Sequence, residues 1–309
     1  MLIIDNIKPS KSETSVALGC FDGVHLGHLS VISEAVSLTT NVLTPTVFTF
    51  SDVPVSKVVS SESENIITKQ SKRELLAQIG VRQLYEVPFS SVMSMTAEEF
   101  VESVILKTLN AKKVFCGFNY HFGRGGFHNA KDLEILCETH NIEVKIMPAV
   151  FCNGEIISST KIKKLILKGD MLSVKQMLGR YFSLESDVIH GQKIGRTLGT
   201  PTMNQMFPDS LVLPKFGVYA SMVTVNQSKF CGVTNIGVKP TVGSNYPVVE
   251  TWMPNYKGEE LYGKMAKIEF LEFIRPERKF NTLEQLKQAI LSDAKKAETI
   301  YMQRKIRTD

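Results

Sequence analysis

The chain has little of what would mark an exported, membrane-embedded or metal-stapled protein. Its 309 residues include five cysteines, Cys20, Cys116, Cys137, Cys152 and Cys231, odd in number, scattered and without a C-x-x-C pair. A disulfide framework or a zinc finger is excluded as the organising device, and a reducing, cytoplasmic setting is expected. No apolar run approaches the ~18 residues of a membrane span, and the apolar start Met1 to Ile4 meets Asp5 before a signal peptide could form. No membrane is expected. Nor is there a strong excess of one charge: 36 basic residues stand against 31 acidic ones, a net +5 with no Lys/Arg block. That balance suits small anions such as phosphates and does not call for nucleic acid.

What is present is ordinary globular material, 43% hydrophobic and 22% charged, with 12 prolines, which excludes a disordered or collagen-like chain. At ~150 residues per domain, the length predicts about two. The texture also falls into two parts. Up to about residue 180, apolar runs at Val16 to Gly19, Thr46 to Phe50, Gln83 to Val87, Lys113 to Cys116 and Glu143 to Pro148 read as strands. Helix-spaced apolar residues over 27–39, 68–79, 96–109 and 130–140 lie between them. Alternation of this kind predicts a parallel, wound α/β sheet with ligands beyond the carboxyl ends of its strands.

After about residue 185 the texture turns to Val, Thr, Tyr and Gly at hairpin spacing. Val218 to Val225, a polar turn at 226–228, and Phe230 to Gly237 read as antiparallel strands, with another at Met265 to Phe270. A small antiparallel β-barrel is the expected solution. Thr282 and Gln285 predict a capped C-terminal helix lined by Leu283, Leu286, Ile290, Ala294, Ala297 and Tyr301, packed on the barrel. The join is expected at Tyr181 to Ser186, giving domains 1–182 and 183–309.

Three constellations in the first part could carry chemistry. Gly19-Cys20-Phe21-Asp22-Gly23-Val24-His25-Leu26-Gly27-His28 runs from a strand end into a helix start, where free N–H groups favour an anion. Gly23 and Gly27 allow close backbone approach, and His25 and His28 can project together to grip a triphosphate; a plain glycine turn with two surface histidines is the alternative. Ser158-Ser159-Thr160, followed by Lys161, Lys163 and Lys164, either caps a helix or binds phosphate. Gly117 to Gly126, with Asn119 and Arg124, supplies aromatics that are either core or a base platform.

The second part holds Gly191, Lys193, Gly195, Arg196 and Gly199 in a glycine-rich loop that lacks the Walker pattern. It leads into Thr202 and Asn204, which share a face if extended and offer neutral oxygens to a hard cation. Downstream stand Asn235-Ile236-Gly237, Glu250-Thr251, Leu261 to Lys264 and Ile274-Arg275-Pro276-Glu277.

In this order and spacing the motifs resemble the bacterial bifunctional riboflavin kinase/FMN adenylyltransferases, the prokaryotic FAD synthetases, over nearly the whole chain. The resemblance implies that the first domain adenylylates FMN with ATP and releases pyrophosphate. His25 and His28 would steady the ATP phosphates, Asn119 would contact nucleotide or metal, and Ser159, Thr160 and Lys163 would hold the triphosphate. Gly19, Phe21, Asp22, Gly23 and Ser158 complete that site. In the second domain it implies ATP along 191–199, Mg²⁺ on Thr202 and Asn204, and Glu250 accepting the proton of the riboflavin 5′-hydroxyl during attack on the γ-phosphate. Arg275 would hold flavin or close the site, or else pair with Glu277; Glu250 would otherwise be a solvated strand carboxylate.

Some positions depart from the family pattern. Phe50-Ser51-Asp52-Val53-Pro54 replaces an Asp-Pro-His-Pro-like turn, and the acidic residue usual before Ser-Ser-Thr is missing at Cys152-Asn153-Gly154. Lys163 replaces an arginine, a point charge in place of a bidentate fork, and Trp252 stands where His usually follows Glu-Thr. FAD synthesis is therefore expected to be weakened. Two other readings are a flavin-responsive regulator that contacts RNA, and a different H-x-G-H nucleotidylyltransferase, which would explain the first half alone.

Overall fold

The computed structural model describes residues 1–37, 43–52, 64–191, 199–241 and 244–305, with the backbone alone at 239–241, 244–245 and 305. By packing the chain divides into two compact units, Met1–Ser159 and Thr160–Asp309.

The first unit is built on β1 (Leu2–Ile4), β2 (Thr14–Leu18), β3 (Thr44–Phe50), β4 (Gln83–Val87) and β5 (Ala111–Gly117). A short hairpin of β6 (His121–Phe122) and β7 (His128–Asn129) follows, then β8 (Glu143–Met147) and a second hairpin, β9 (Phe151–Cys152) and β10 (Glu155–Ile156). Six of these strands form one sheet in the order β1-β4-β3-β2-β5-β8, every pair parallel. Successive side chains of a strand point to opposite faces, so a strand buried on both faces feeds two cores. Val16, Leu18, Phe48, Tyr85 and Cys116 enter one core, and Ala17, Val47, Leu84 and Phe115 the other.

Helices cover both faces. α1 (Leu26–Ser37) and α2 (Lys69–Ile79) bring Val31, Ile32 and Leu76 to the second core. α3 (Ala97–Glu99), which continues as a π-helix over Phe100–Thr108, and α4 (Ala130–Glu138) bring Phe100, Val104 and Leu133 to the first. This is the wound α/β sheet that the alternating runs predict. The edge strand β1 and the two hairpins are additions, each too short to leave a periodic signal.

The chain leaves β2 towards β3 on one side and later returns to β5 on the other. A doubly wound sheet opens a crevice at such a reversal, beyond the carboxyl ends of its strands. The segments that follow β2 and β5 are the two glycine-rich ones, 19–25 and 118–127.

In the second unit α5 (Ser159–Lys168) leads into α6 (Met171–Leu178), capped by the Asp170 side chain at one end and by left-handed Gly179 at the other. Gly169 nestles against Lys215, Tyr219 and Phe273, which fastens this helical pair to the strands that follow. Those strands are β11 (Ser183–Asp187), β12 (Thr202–Met206), β13 (Gly217–Val225), β14 (Ser228–Thr241), β15 (Ser244–Trp252) and β16 (Met265–Arg275). They form an antiparallel sheet in the order β11-β16-β13-β14-β15-β12. Among the described residues a bridge between Ile189 and Asn204 joins its two ends, so the sheet curls into a nearly closed barrel.

The β13–β14 turn places Asn226 and Gln227 at positive φ, 48° and 65°, as a two-residue hairpin turn of the primed type requires. α7 (Leu283–Lys305) packs on the barrel through Ala289, Asp293 and Ala297. Leu283, expected on that face, is exposed instead, because residues 281–285 stand clear of the strands. Thr282 caps the helix as expected, accepting the Gln285 N–H at 3.2 Å, but Gln285 Oε1 accepts from Asn281 rather than from Thr282.

Candidate functional site

In the first unit the turn between β2 and α1 is held in an unusual backbone conformation. Phe21, Gly23 and Val24 have φ of 52°, 78° and 40°. Gly23 adopts this freely, whereas a buried β-branched Val24 costs about 1–3 kcal/mol, tolerated where the surroundings fix the turn. Several contacts fix it. Phe21 and Val24 are buried in the sheet's second core. The Cys20 carbonyl accepts from Thr49 Oγ1 at 2.9 Å, Asp22 Oδ1 accepts the Ile66 N–H at 2.8 Å, and the Asp22 carbonyl accepts from Ser159 Oγ at 3.0 Å. The last bond ties the Ser-Ser segment to the glycine-rich turn.

The two histidines lie together. Their rings stack with centroids 3.5 Å apart, and the edge of Phe21 supports His28 at 5.3 Å. His25 Nδ1 accepts the His28 backbone N–H at 3.2 Å, so a neutral His25 carries its proton on Nε2. His25 is buried and His28 half-buried. Asn119 is exposed just past β5, its Oδ1 close over Gly117. Gly19, Asp22 and Ser158 are half-buried, Thr160 is exposed, and Thr160 and Lys163 belong to the first turns of α5.

The sequence reading passed over what lies under this turn. Lys72 of α2 is buried, with Nζ 3.5 Å from Thr49 Oγ1 and 3.8 Å from Glu86 Oε1. Glu86 Oε2 accepts from Arg73 Nε at 2.8 Å. Burial pulls the Lys72 ammonium below its ordinary pKa, and Glu86 and Asp22 oppose that pull. Only the inward phase of α2 in the sequence could have suggested this lysine.

In the second unit the strand register decides which residues meet. Asn204 of β12 stands directly opposite Glu250 of β15, and Glu250 directly opposite Asn235 of β14. Opposed residues share a face with Cβ atoms about 4.5–5.5 Å apart, so the three form a row across adjacent strands. Thr202, two positions from Asn204 and opposite Trp252, lies on the same face. A one-residue slip would turn the whole row over. On the inward face, buried Ser221, Thr234 and Thr251 join their hydroxyls at 2.7 and 2.9 Å across β13, β14 and β15. Gln205 Nε2 donates to Ala266 O at 2.9 Å and Ser186 O at 2.7 Å. These buried bonds hold the register.

Asn204 is 5% exposed, and among the described residues its Oδ1 has no hydrogen-bond partner. Gly191 lies against it: a Cβ there would fall 2.4 Å from Asn204 Nδ2. Gly199, at φ 74°, is exposed. Lys193, Gly195 and Arg196 lie outside the described residues.

Arg275 does not pair with Glu277. Its Nε and Nη2 donate to Asp293 of α7 at 3.0 and 2.7 Å, and Nη1 donates to Pro276 O at 3.1 Å. Glu277 accepts instead from Asn235 Nδ2 at 3.1 Å. Asp293 was hidden in the sequence because it interrupts an apolar helix face. Two adjoining clefts border α7. One, of about 380 Å³, is lined by Cys231, Pro254 and Asn255 with Leu291, Ser292 and Lys295. The other, of about 550 Å³, is lined by Arg278, Phe280, Gln285 and Gln288.

Both halves of the chain resemble known proteins. The FAD synthetase family matches residues 7–161 and the riboflavin kinase family residues 178–301. A Bacillus subtilis protein named bifunctional riboflavin kinase/FMN adenylyltransferase is 34% identical over 303 residues, covering 94% of this chain and 93% of its own. A Listeria monocytogenes protein of the same name is 33% identical over 276 residues, covering 88% and 87%. Among solved structures, one from Streptococcus pneumoniae, described as a macrolide-efflux protein, superposes with a TM-score of 0.87 at 28% identity over 96% of this chain and 99% of that one. Among the described residues no helix is long and apolar enough to cross a membrane. With both families matched in tandem and relatives aligned nearly end to end, the chain belongs to the bifunctional riboflavin kinase/FMN adenylyltransferase family.

Proposed function

We propose that this chain makes both flavin cofactors, phosphorylating riboflavin to FMN within 183–309 and adenylylating FMN to FAD within 1–182. The observation that carries the kinase reading is the row of Asn204 and Glu250 on facing strands with Thr202 beside them. Glu250 takes the proton from the 5′-hydroxyl as that oxygen bonds to the γ-phosphorus of ATP and the bond to the β-phosphate oxygen breaks, releasing ADP. A base so placed contributes about 10²–10⁴-fold.

The donor set suits Mg²⁺: a buried amide oxygen without a hydrogen-bond partner among the described residues, and a hydroxyl on the same face. Thr202 and Asn204 would hold the ion, which when bound neutralises charge on the ATP phosphates. The glycine-rich loop from Gly191 to Gly199 would follow those phosphates, and the clefts along α7 are of a size to take the flavin rings. Arg275 serves by fastening α7, which forms one wall of both clefts.

For FAD synthesis, an FMN phosphate oxygen attacks the α-phosphorus of ATP and pyrophosphate leaves. The attacking oxygen is already anionic, so orientation and charge neutralisation carry the step. The strained turn at the strand reversal supports this reading: its backbone, His25 and His28 present donors to the phosphates, with Ser158, Ser159, Thr160 and Lys163 adding hydroxyls and charge. Asn119, past β5, contacts nucleotide or metal. Lys163 offers a point charge in place of a bidentate fork on the phosphates, which weakens FAD formation.

The test is to incubate the protein with riboflavin, ATP and Mg²⁺ and separate the flavins. FMN should appear first and FAD after it; absence of FMN rejects the kinase assignment. His28→Ala should lose FAD while sparing FMN, and Glu250→Gln should lose FMN formation while still converting supplied FMN to FAD.

A further inference from the structure

The row on the outer face of the barrel has a third member that no role yet covers. Asn235 stands on β14 directly opposite Glu250, on the side away from Asn204. Its amide is not free to rotate, because Nδ2 donates to Glu277 Oε1 at 3.1 Å. Glu277 reaches that position only because residue 237 has no side chain: a Cβ on Gly237 would fall 2.1 Å from Glu277 Oε1. An asparagine amide has two protons and an acceptor oxygen. With one proton given to Glu277, the amide plane is set, and the Asn235 side chain shares a face with Glu250 on the neighbouring strand.

We infer that Asn235 is a positioning residue for the base Glu250, and that Glu277, seated on Gly237, is the brace that fixes Asn235. The inference rests on the reading of Glu250 as the base. A long carboxylate side chain on a strand samples several rotamers, and only one holds its oxygen within hydrogen-bond reach of the substrate hydroxyl. The neighbour on the adjoining strand restricts that choice, while Asn204 on the other side would hold the metal. Nothing in this role binds riboflavin or ATP, so its loss should fall on kcat.

The experiment measures kcat and KM of FMN formation for Asn235→Ala, Glu277→Ala, Glu277→Gln and Gly237→Ala in the full chain. The barrel unit's transition in scanning calorimetry of the same preparations reports that the substituted unit is folded. Asn235→Ala and Glu277→Ala should lower kcat by about 10–100-fold, the scale of a misplaced catalytic group. KM for riboflavin and ATP should stay within about twofold. Glu277→Gln keeps an acceptor oxygen and should restore kcat to within about threefold of the parent. Gly237→Ala touches neither Asn235 nor Glu250 but pushes the Glu277 carboxylate aside, and should match Glu277→Ala.

Unchanged kcat in Asn235→Ala, or parallel changes in KM and kcat with no rescue by Glu277→Gln, overturns the inference. Glu250→Gln separates this outcome from failure of the underlying reading. If Glu250→Gln is itself fully active, Glu250 is not the base; if it is inactive while the other four variants behave as the parent, the positioning role alone is wrong.

Discussion

Asp293→Ala should unfasten α7. Asp293 and Arg275 are nearly withdrawn from water, with 4% and 18% of their side chains exposed, and two guanidinium nitrogens reach the carboxylate. Removing one partner of a buried pair costs about 3–5 kcal/mol, because the survivor stays buried without its counter-charge. Arg275 keeps the Pro276 carbonyl as an acceptor, so the lower end applies, about 3 kcal/mol. For a unit of this size each 1 kcal/mol moves Tm by about 2–4 °C, a fall of about 6–12 °C.

Scanning calorimetry of the full chain should show the transition of the barrel unit falling while the other transition holds. Riboflavin KM should rise, since Ser292 and Lys295 beside Asp293 line a cleft. The double replacement Arg275→Met with Asp293→Leu should regain most of the lost stability, because apolar side chains of similar size satisfy a buried site as well as an ion pair does. Single replacements that each cost under about 0.5 kcal/mol and simply add in the double would refute the idea that this pair clamps the helix.

Gly191→Ala should displace the Asn204 amide and cut FMN formation about tenfold, partly restored at high Mg²⁺; an unchanged metal titration would disconnect Gly191 from the metal. Lys72 has a folded pKa below its ordinary 10.5, so between the two values the unfolded chain binds more protons and native stability rises with pH. Lys72→Met should therefore be more stable than the parent at neutral pH, with the advantage fading towards pH 10.5, as denaturant titrations at several pH values will show. Burial raises the Cys116 and Cys137 thiols to about 12 and should make them inert to alkylation, whereas exposed Cys20 should react and be protected by ATP, which mass mapping will check.

Much of this was legible in residue order. The apolar runs around Val16, Val47, Leu84 and Val114 announced a buried parallel sheet because strands covered on both faces cannot alternate polar and apolar residues. Asn226-Gln227 marked the β13–β14 turn by composition alone. β11, β12 and β15 were harder. Ser183–Asp187 is a polar edge, and Thr202–Met206 and Ser244–Trp252 carry the residues of the proposed site, whose polar side chains obscure the strand pattern. The π-helical turn at Phe100–Thr108 escaped for another reason: its apolar spacing is also that of an α-helix. Asn204 and Glu250 were brought together only through the family resemblance, since register depends on two strands at once and no single segment encodes it. No single segment encodes the pairing of Asp293 either, whose partner lies a loop away.

The barrel's seam is narrow. Where neighbouring strands elsewhere share full ladders, the two ends of this sheet meet, among the described residues, through one backbone bond, from the Ile189 N–H to the Asn204 carbonyl at 2.7 Å, and through Gln205 Nε2, which donates to the Ser186 carbonyl. A stave held by so few nails is the first to spring, and its backbone nail is the one at Asn204, so amide exchange at Ile189 should outpace that of the barrel's interior. Because the nail is driven into Asn204, any ligand drawn to that side chain would slow the exchange, making this amide an intrinsic gauge of occupancy that needs no label.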